Sequence, residues 1–230
     1  MTTHRRALGV LVGLAILVAT GLVAGAGAAD AAPDPLVVAN GGTTTYGGYG
    51  DAYASAVVAH GGTPPYSFAV TVGALPPGVV LDASTGALTG APTAMGTFAF
   101  TVEVTDHGAP PQTATGDFTV QVGQGTSWLT PGPALIGLRP LALALTSVRA
   151  TLTGGSAHVP LPGRTVTFGI GDHEVCTATT DAAGVASCPI DLGDDVQILL
   201  HNGFTCWWAG DDLYLPSAGD ARLLAPPTPL

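Results

Sequence analysis

From Pro33 onward the chain never sustains apolar residues at helical spacing; it runs in short alternating stretches cut apart by glycine- and proline-rich clusters. That punctuation excludes long helices and leaves extended strands as the way to bury apolar side chains. Thr97 to Val104 puts Phe98, Phe100, Val102 and Val104 on one face, and Phe118, Val120 and Val122 repeat the pattern. Between such runs lie Gly61-Gly62-Thr63-Pro64-Pro65, Pro76-Pro77-Gly78 and Asp106-His107-Gly108-Ala109-Pro110-Pro111, all turn-forming in composition. Strand-like runs at Tyr53–Ala59, Tyr66–Thr71, Gly96–Thr105 and Gly116–Val122 predict a first sandwich over residues 35–123. Residues 124–133, GQGTSWLTPGP from Gly123, read as a short stiff linker. Runs at Leu141–Thr146, Val148–Thr153, Thr165–Ile170, Val175–Thr179, Val185–Pro189 and Phe204–Ala209 predict a second sandwich over 134–225, before a proline-rich tail at 226–230. The fold class is all-β, with two tandem sandwiches.

Charge narrows the function classes. The chain has 6 basic against 16 acidic residues and no lysine. Two of its arginines, Arg5 and Arg6, precede the apolar run Ala7–Ala24; the others are Arg139, Arg149, Arg164 and Arg222. Four scattered guanidiniums cannot line up against a phosphate backbone, so nucleic-acid binding is excluded. The N-terminal basic residues, apolar core and small-residue stretch ending Ala29-Asp30-Ala31 predict a signal peptide over residues 1–31, with Ala32 first in the mature chain. The alternative is an uncleaved anchor, the run approaching the ~20 residues that span a bilayer, and membrane contact follows only in that case. Either way the folded part is expected to be extracellular or at the cell surface.

The segment from Gly61 to Asp106 carries a further signal. Gly61-Gly62 with Pro64-Pro65-Tyr66, Leu75-Pro76-Pro77-Gly78, Leu81-Asp82 with Thr85-Gly86, Gly90-x-Pro92, Gly96 and Val104-Thr105-Asp106 occur in that order. This series closely resembles the "Putative Ig" repeat of bacterial surface proteins, related to dystroglycan-type cadherin-like domains, over roughly Asn40 to Val122. The second half resembles another bacterial Ig-like repeat of adhesins through Leu161-Pro162-Gly163-Arg164-Thr165, Asp181-Ala182-Ala183-Gly184, and Ala209-Gly210-Asp211-Asp212 with Tyr214-Leu215-Pro216-Ser217. Residues 190–201 depart from that pattern. Both resemblances imply immunoglobulin-like β-sandwiches.

Three cysteines remain. Counting inward from Cys176 and Cys188 sets Thr179 against Val185 around a turn holding Asp181 and Gly184, a hairpin register that brings the two sulfurs opposite each other and predicts a disulfide. Cys206 is in phase with Phe204 and Trp208 and is expected as a buried thiol, which puts Trp207 outward, where it could stack on a sugar or anchor a partner. Glu103 and Asp106 are calcium candidates, because Val104-Thr105-Asp106 resembles a cadherin strand end, and Asp82 and Asp117 could add ligands. No cofactor is otherwise expected. Asp172-His173-Glu174, Asp194-Asp195 and Asp211-Asp212 are expected as bends rather than sites. No nucleophile elbow, Ser-x-x-Lys or His-Glu-x-x-His is present. The expected function is a non-enzymatic exported module pair serving adhesion or acting as a spacer, with a surface protein or polysaccharide as partner; the rival is a secreted carbohydrate-binding protein that uses Trp207.

Overall fold

The computed structural model describes residues 34–133, 135–139, 142–190, 201 and 203–222. The expected signal peptide, Asp194-Asp195 and the tail lie outside them. Eighteen strands occur among the described residues, and they bury two separate apolar cores.

The first core is enclosed by two main sheets. One has the order β2 (Thr43–Gly48), β9 (Thr113–Gly123), β8 (Gly96–Thr105) and β5 (Ser67–Gly73); the other has β3 (Tyr53–Ala56), β7 (Ala87–Gly90) and β6 (Val79–Leu81). A two-stranded piece pairs β1 (Val37–Val38) with β4 (Ala59–His60). The expected alternation holds: Phe100, Val102, Val104, Phe118, Val120 and Val122 are buried together, with Phe98 half-buried at the margin. β8 has its expected bounds, whereas β9 begins three residues early because the preceding bend closes by Gln112. β2, with sequence TTTYGG, carries no apolar alternation and was not expected. It is recruited by backbone pairing, parallel to β9, and by a hydrogen bond between the Thr45 and Tyr53 hydroxyls (2.6 Å).

The second core lies between β12 (Ala142–Gly154), flanked by β10 (Ser127–Pro131), β11 (Leu135–Arg139), β13 (Val159–Pro160) and β16 (Val185–Pro189), and a sheet ordered β15 (His173–Thr179), β14 (Thr165–Ile170), β17 (Gly203–Trp208) and β18 (Ser217–Arg222). Its centre is Leu152, Val148, Val166, Phe168, Ala186 and Cys206. Two sequence expectations change here. From Ala142 on, the two expected runs are one strand, because Ser147 continues the ladder against both Leu135 and Pro189. The expected linker contains β10, whose five residues pair with Pro131↔Ala150 through Ser127↔Gly154 and bury Leu129 in the second core. Trp128-Leu129-Thr130 is a β-former triplet, and the flanking Gly and Pro mark its two ends.

Candidate functional site

The polar residues singled out in the sequence do not converge. Asp106 follows Val102 and Val104 inward and is buried, while Glu103 faces the other side of β8. The Asp106 carboxylate accepts backbone N–H bonds from Gln112 (2.6 Å), Thr63 (2.7 Å) and Gly108 (3.2 Å), so it ties the Gly61–Pro65 bend to the Asp106–Gln112 bend. These bonds, Gln112 first, hold its carboxyl below the usual carboxylate range. Asp82 caps its own turn by accepting from the Ser84 hydroxyl and the Ser84 and Thr85 N–H groups, which lowers its pKa to about 2. Asp117 accepts from the Thr101 hydroxyl on the neighbouring strand. The four calcium candidates are therefore not brought together, and no group of three His, Cys, Asp or Glu side chains gathers at metal-holding range among the described residues. Gly171 and Asp172 form the bend before β15, and His173 and Glu174 open that strand.

Cys176 and Cys188 form a disulfide with Cα atoms 6.5 Å apart, but not across a hairpin ladder. β15 pairs with β14, and β16 pairs with β12, so the bridge joins opposing sheets. Thr179 faces Thr165 rather than Val185. The reason lies at buried Thr180, whose hydroxyl donates to Leu161 O (2.6 Å) and accepts from Arg164 N (2.9 Å), pinning the end of β15 to the start of β14. The chain then turns on the Asp181 carboxylate, which accepts from Ala183 N and Val185 N, and crosses to the other sheet. Cys206 is buried, with burial pushing its thiol up to about 11. Trp208 is buried and Trp207 is 38% exposed, as their phase requires.

The densest set of polar and aromatic contacts is one the sequence did not mark as a site: the junction of the two cores. Thr126 donates both its N–H (2.9 Å) and its hydroxyl (2.6 Å) to the two oxygens of Asp51, in the loop between β2 and β3. Ala52 N donates to Ser156 Oγ (2.6 Å), and Ser156 N donates back to Gly50 O (3.1 Å). Gly125 N donates to Leu213 O (2.8 Å) and Leu215 N to Gly125 O (2.9 Å), while Gln124 Nε2 donates to Asp211 O (2.6 Å). Tyr49 of the first sandwich meets Tyr214 of the second edge-to-face at 5.5 Å, and burial raises the Tyr214 pKa. A Cβ on Gly154 would come within 2.6 Å of the Tyr214 ring, so this glycine is what admits the tyrosine. Asp211 shapes the docking loop: one carboxylate oxygen accepts from Leu213 N and Tyr214 N, the other from Arg164 Nε at 2.8 Å. The Leu161–Thr165 and Ala209–Ser217 motifs thus meet at this junction.

A pair of β-sandwiches with bends stapled by side chains and a bonded junction is an immunoglobulin-like tandem. Residues 31–123 match the family model described as "Putative Ig domain". No curated protein matches the chain. Similar solved structures include mouse cadherin-23 EC22-24 (16% identity, TM-score 0.32, covering 83% of this chain and 67% of that one). The titin I-band fragment I67-I69 is 11% identical, with TM-score 0.32 and coverage of 84% and 66%. A Bacteroides fragilis "putative alpha-galactosidase/melibiase" is 17% identical, with TM-score 0.34 over 41% of this chain; this chain spans 20% of that structure's length.

Proposed function

We propose that this protein is an exported, non-enzymatic module pair that acts at the cell surface as a structural spacer or adhesive arm, and that its working feature is the fixed junction between its sandwiches. The junction bonds carry the reading. A flexible tether needs no such set, whereas here both oxygens of Asp51, two tyrosine rings and five backbone amides are engaged across one boundary. The strand directions add to it. β9 runs from the bend that holds Asp34 and Gly62 toward the junction, and β18 runs from the junction away to Arg222, so the chain enters and leaves the pair at opposite ends. The N-terminal apolar segment, read as an export signal, supplies the location.

Two measurements test it. An antibody against the second sandwich should label intact cells, and labelling that needs permeabilised cells overturns the exported reading. Small-angle scattering of the mature chain should fit one interdomain arrangement; a profile that needs a broad set of arrangements overturns the spacer. Turnover of any substrate by the purified chain would overturn the non-enzymatic part.

A further inference from the structure

The outer face of the β15-β14-β17-β18 sheet is built around Trp207. Register places Thr177, Thr167, Trp207 and Ala218 in one row across the four strands, and Glu174, Gly169, Thr205 and Asp220 in the next. The indole reaches from the first row over the second: a Cβ on Gly169 would stand 2.8 Å from Cζ3 and 3.1 Å from Cη2 of the ring. Only glycine there lets the ring rest against the strand, with its other side to solvent; Trp207 is 38% exposed. Ala218 beside it is small, Thr167 and Thr177 share the ring's row, and the Thr205 hydroxyl in the next row donates to Gly169 O (3.3 Å). Glu174 and Asp220 stand at the two ends of the row beneath it, both exposed.

We propose that this face binds an uncharged polysaccharide chain, with Trp207 as the stacking platform. An aromatic face takes the C–H face of a pyranose ring, and its rim needs acceptors for sugar hydroxyl donors. Two carboxylates and a row of threonine hydroxyls supply them. Those carboxylates outnumber Arg222, exposed two residues beyond Asp220 on the same face of β18, and on a chain with 16 acidic against 6 basic residues they disfavour polyanionic glycans, which singles out uncharged ones. Trp128 is equally exposed at 36%, yet its ring packs on His158 at 4.4 Å, so it serves as a matched control. The proposal does not rest on the rigid junction, since a flexible pair would carry the same face.

The test is retention of the exported chain on insoluble cellulose, chitin and starch, with immobilised hyaluronan as the anionic comparison. Retention is expected on at least one uncharged polymer and not on hyaluronan. Trp207→Leu should weaken it at least tenfold, Trp207→Tyr should keep most of it, and Trp128→Phe should leave it unchanged. If Trp207→Leu lowers the melting temperature, the exposed double variant Glu174→Ala/Asp220→Ala provides the reading and should also weaken retention. No retention on any of the three uncharged polymers, equal retention on hyaluronan, or retention indifferent to both Trp207→Leu and the double variant would overturn the proposal.

Discussion

Single side chains decide where this chain bends, and acid should expose them. Asp82 and Asp106 have carboxyls held below their ordinary value by N–H and O–H donors. A folded pKa lower than the unfolded one means that the unfolded chain takes up protons first as pH falls. Their contribution is therefore complete above about pH 4 and lost on descent, toward about pH 2 for Asp82. Melting temperature should fall over that window, and Asp82→Asn with Asp106→Asn should flatten the profile as well as lower it; an unchanged slope in the double variant would remove these carboxylates from the account. Asp106→Ala should be the costlier single change, by several degrees, because it leaves the Thr63, Gly108 and Gln112 amides without their acceptor in a buried corner. The thiol of Cys206 makes the opposite case, an inert group: buried and raised to about 11, it should resist a thiol reagent at pH 8 until the chain unfolds, and stoichiometric labelling of the native protein would contradict its burial.

At the scale of strands and bridges, the disulfide links opposing sheets across a separation of 12 residues, and the loop-entropy relation assigns it about 3 kcal/mol. Cys176→Ser/Cys188→Ser should lower the denaturant midpoint by that equivalent with no change in strand content; an unchanged midpoint would mean that the sheets already hold the loop closed. The pairing was legible in the sequence while its geometry was not. Spacing alone made Cys176–Cys188 look like the rungs of a hairpin, because nothing in the local pattern reports that Thr180 bonds back to Leu161 and Arg164 and turns the chain out of its sheet. Apolar alternation located β8, β14 and β16 to the residue, since each buries one face. It could not locate β2 or β18, which carry no apolar alternation: β2 pairs with β9, distant in sequence, and β18 with the preceding strand β17. β10 has the composition of a linker, since proline and glycine flank it and its partner β12 lies some twenty residues on. Trp207 faces outward as its phase predicted, but its seat on Gly169 joins two strands and was invisible until they were paired.

For the whole molecule, the question is whether the two cores melt as one body. Apart from Tyr49, which packs on the second core from the first sandwich, each is closed on its own side chains, so without the junction they would unfold independently. The junction adds the Asp51–Thr126 pair, the Tyr49–Tyr214 contact and the reciprocal Ala52–Ser156 and Ser156–Gly50 bonds. Hydrogen bonds of this kind contribute about 1 kcal/mol each and charged acceptors about 1.5–3, with an aromatic pair adding about 0.5–1.5. With the solvent-exposed Asp51 bonds at the low end of their range, the set amounts to about 5 kcal/mol, enough to couple their melting. Calorimetry of the mature chain should therefore record one transition, and Asp51→Ala/Tyr214→Ala should split it into two, the second sandwich melting lower because Tyr214 also fills its core. Asp51→Ala alone separates the effects: Asp51 belongs to neither core cluster, so splitting in that variant is loss of coupling rather than damage inside a sandwich. Two transitions in the unmodified chain, at temperatures that neither substitution moves apart, would show that the contacts across the boundary are not what holds the sandwiches in register.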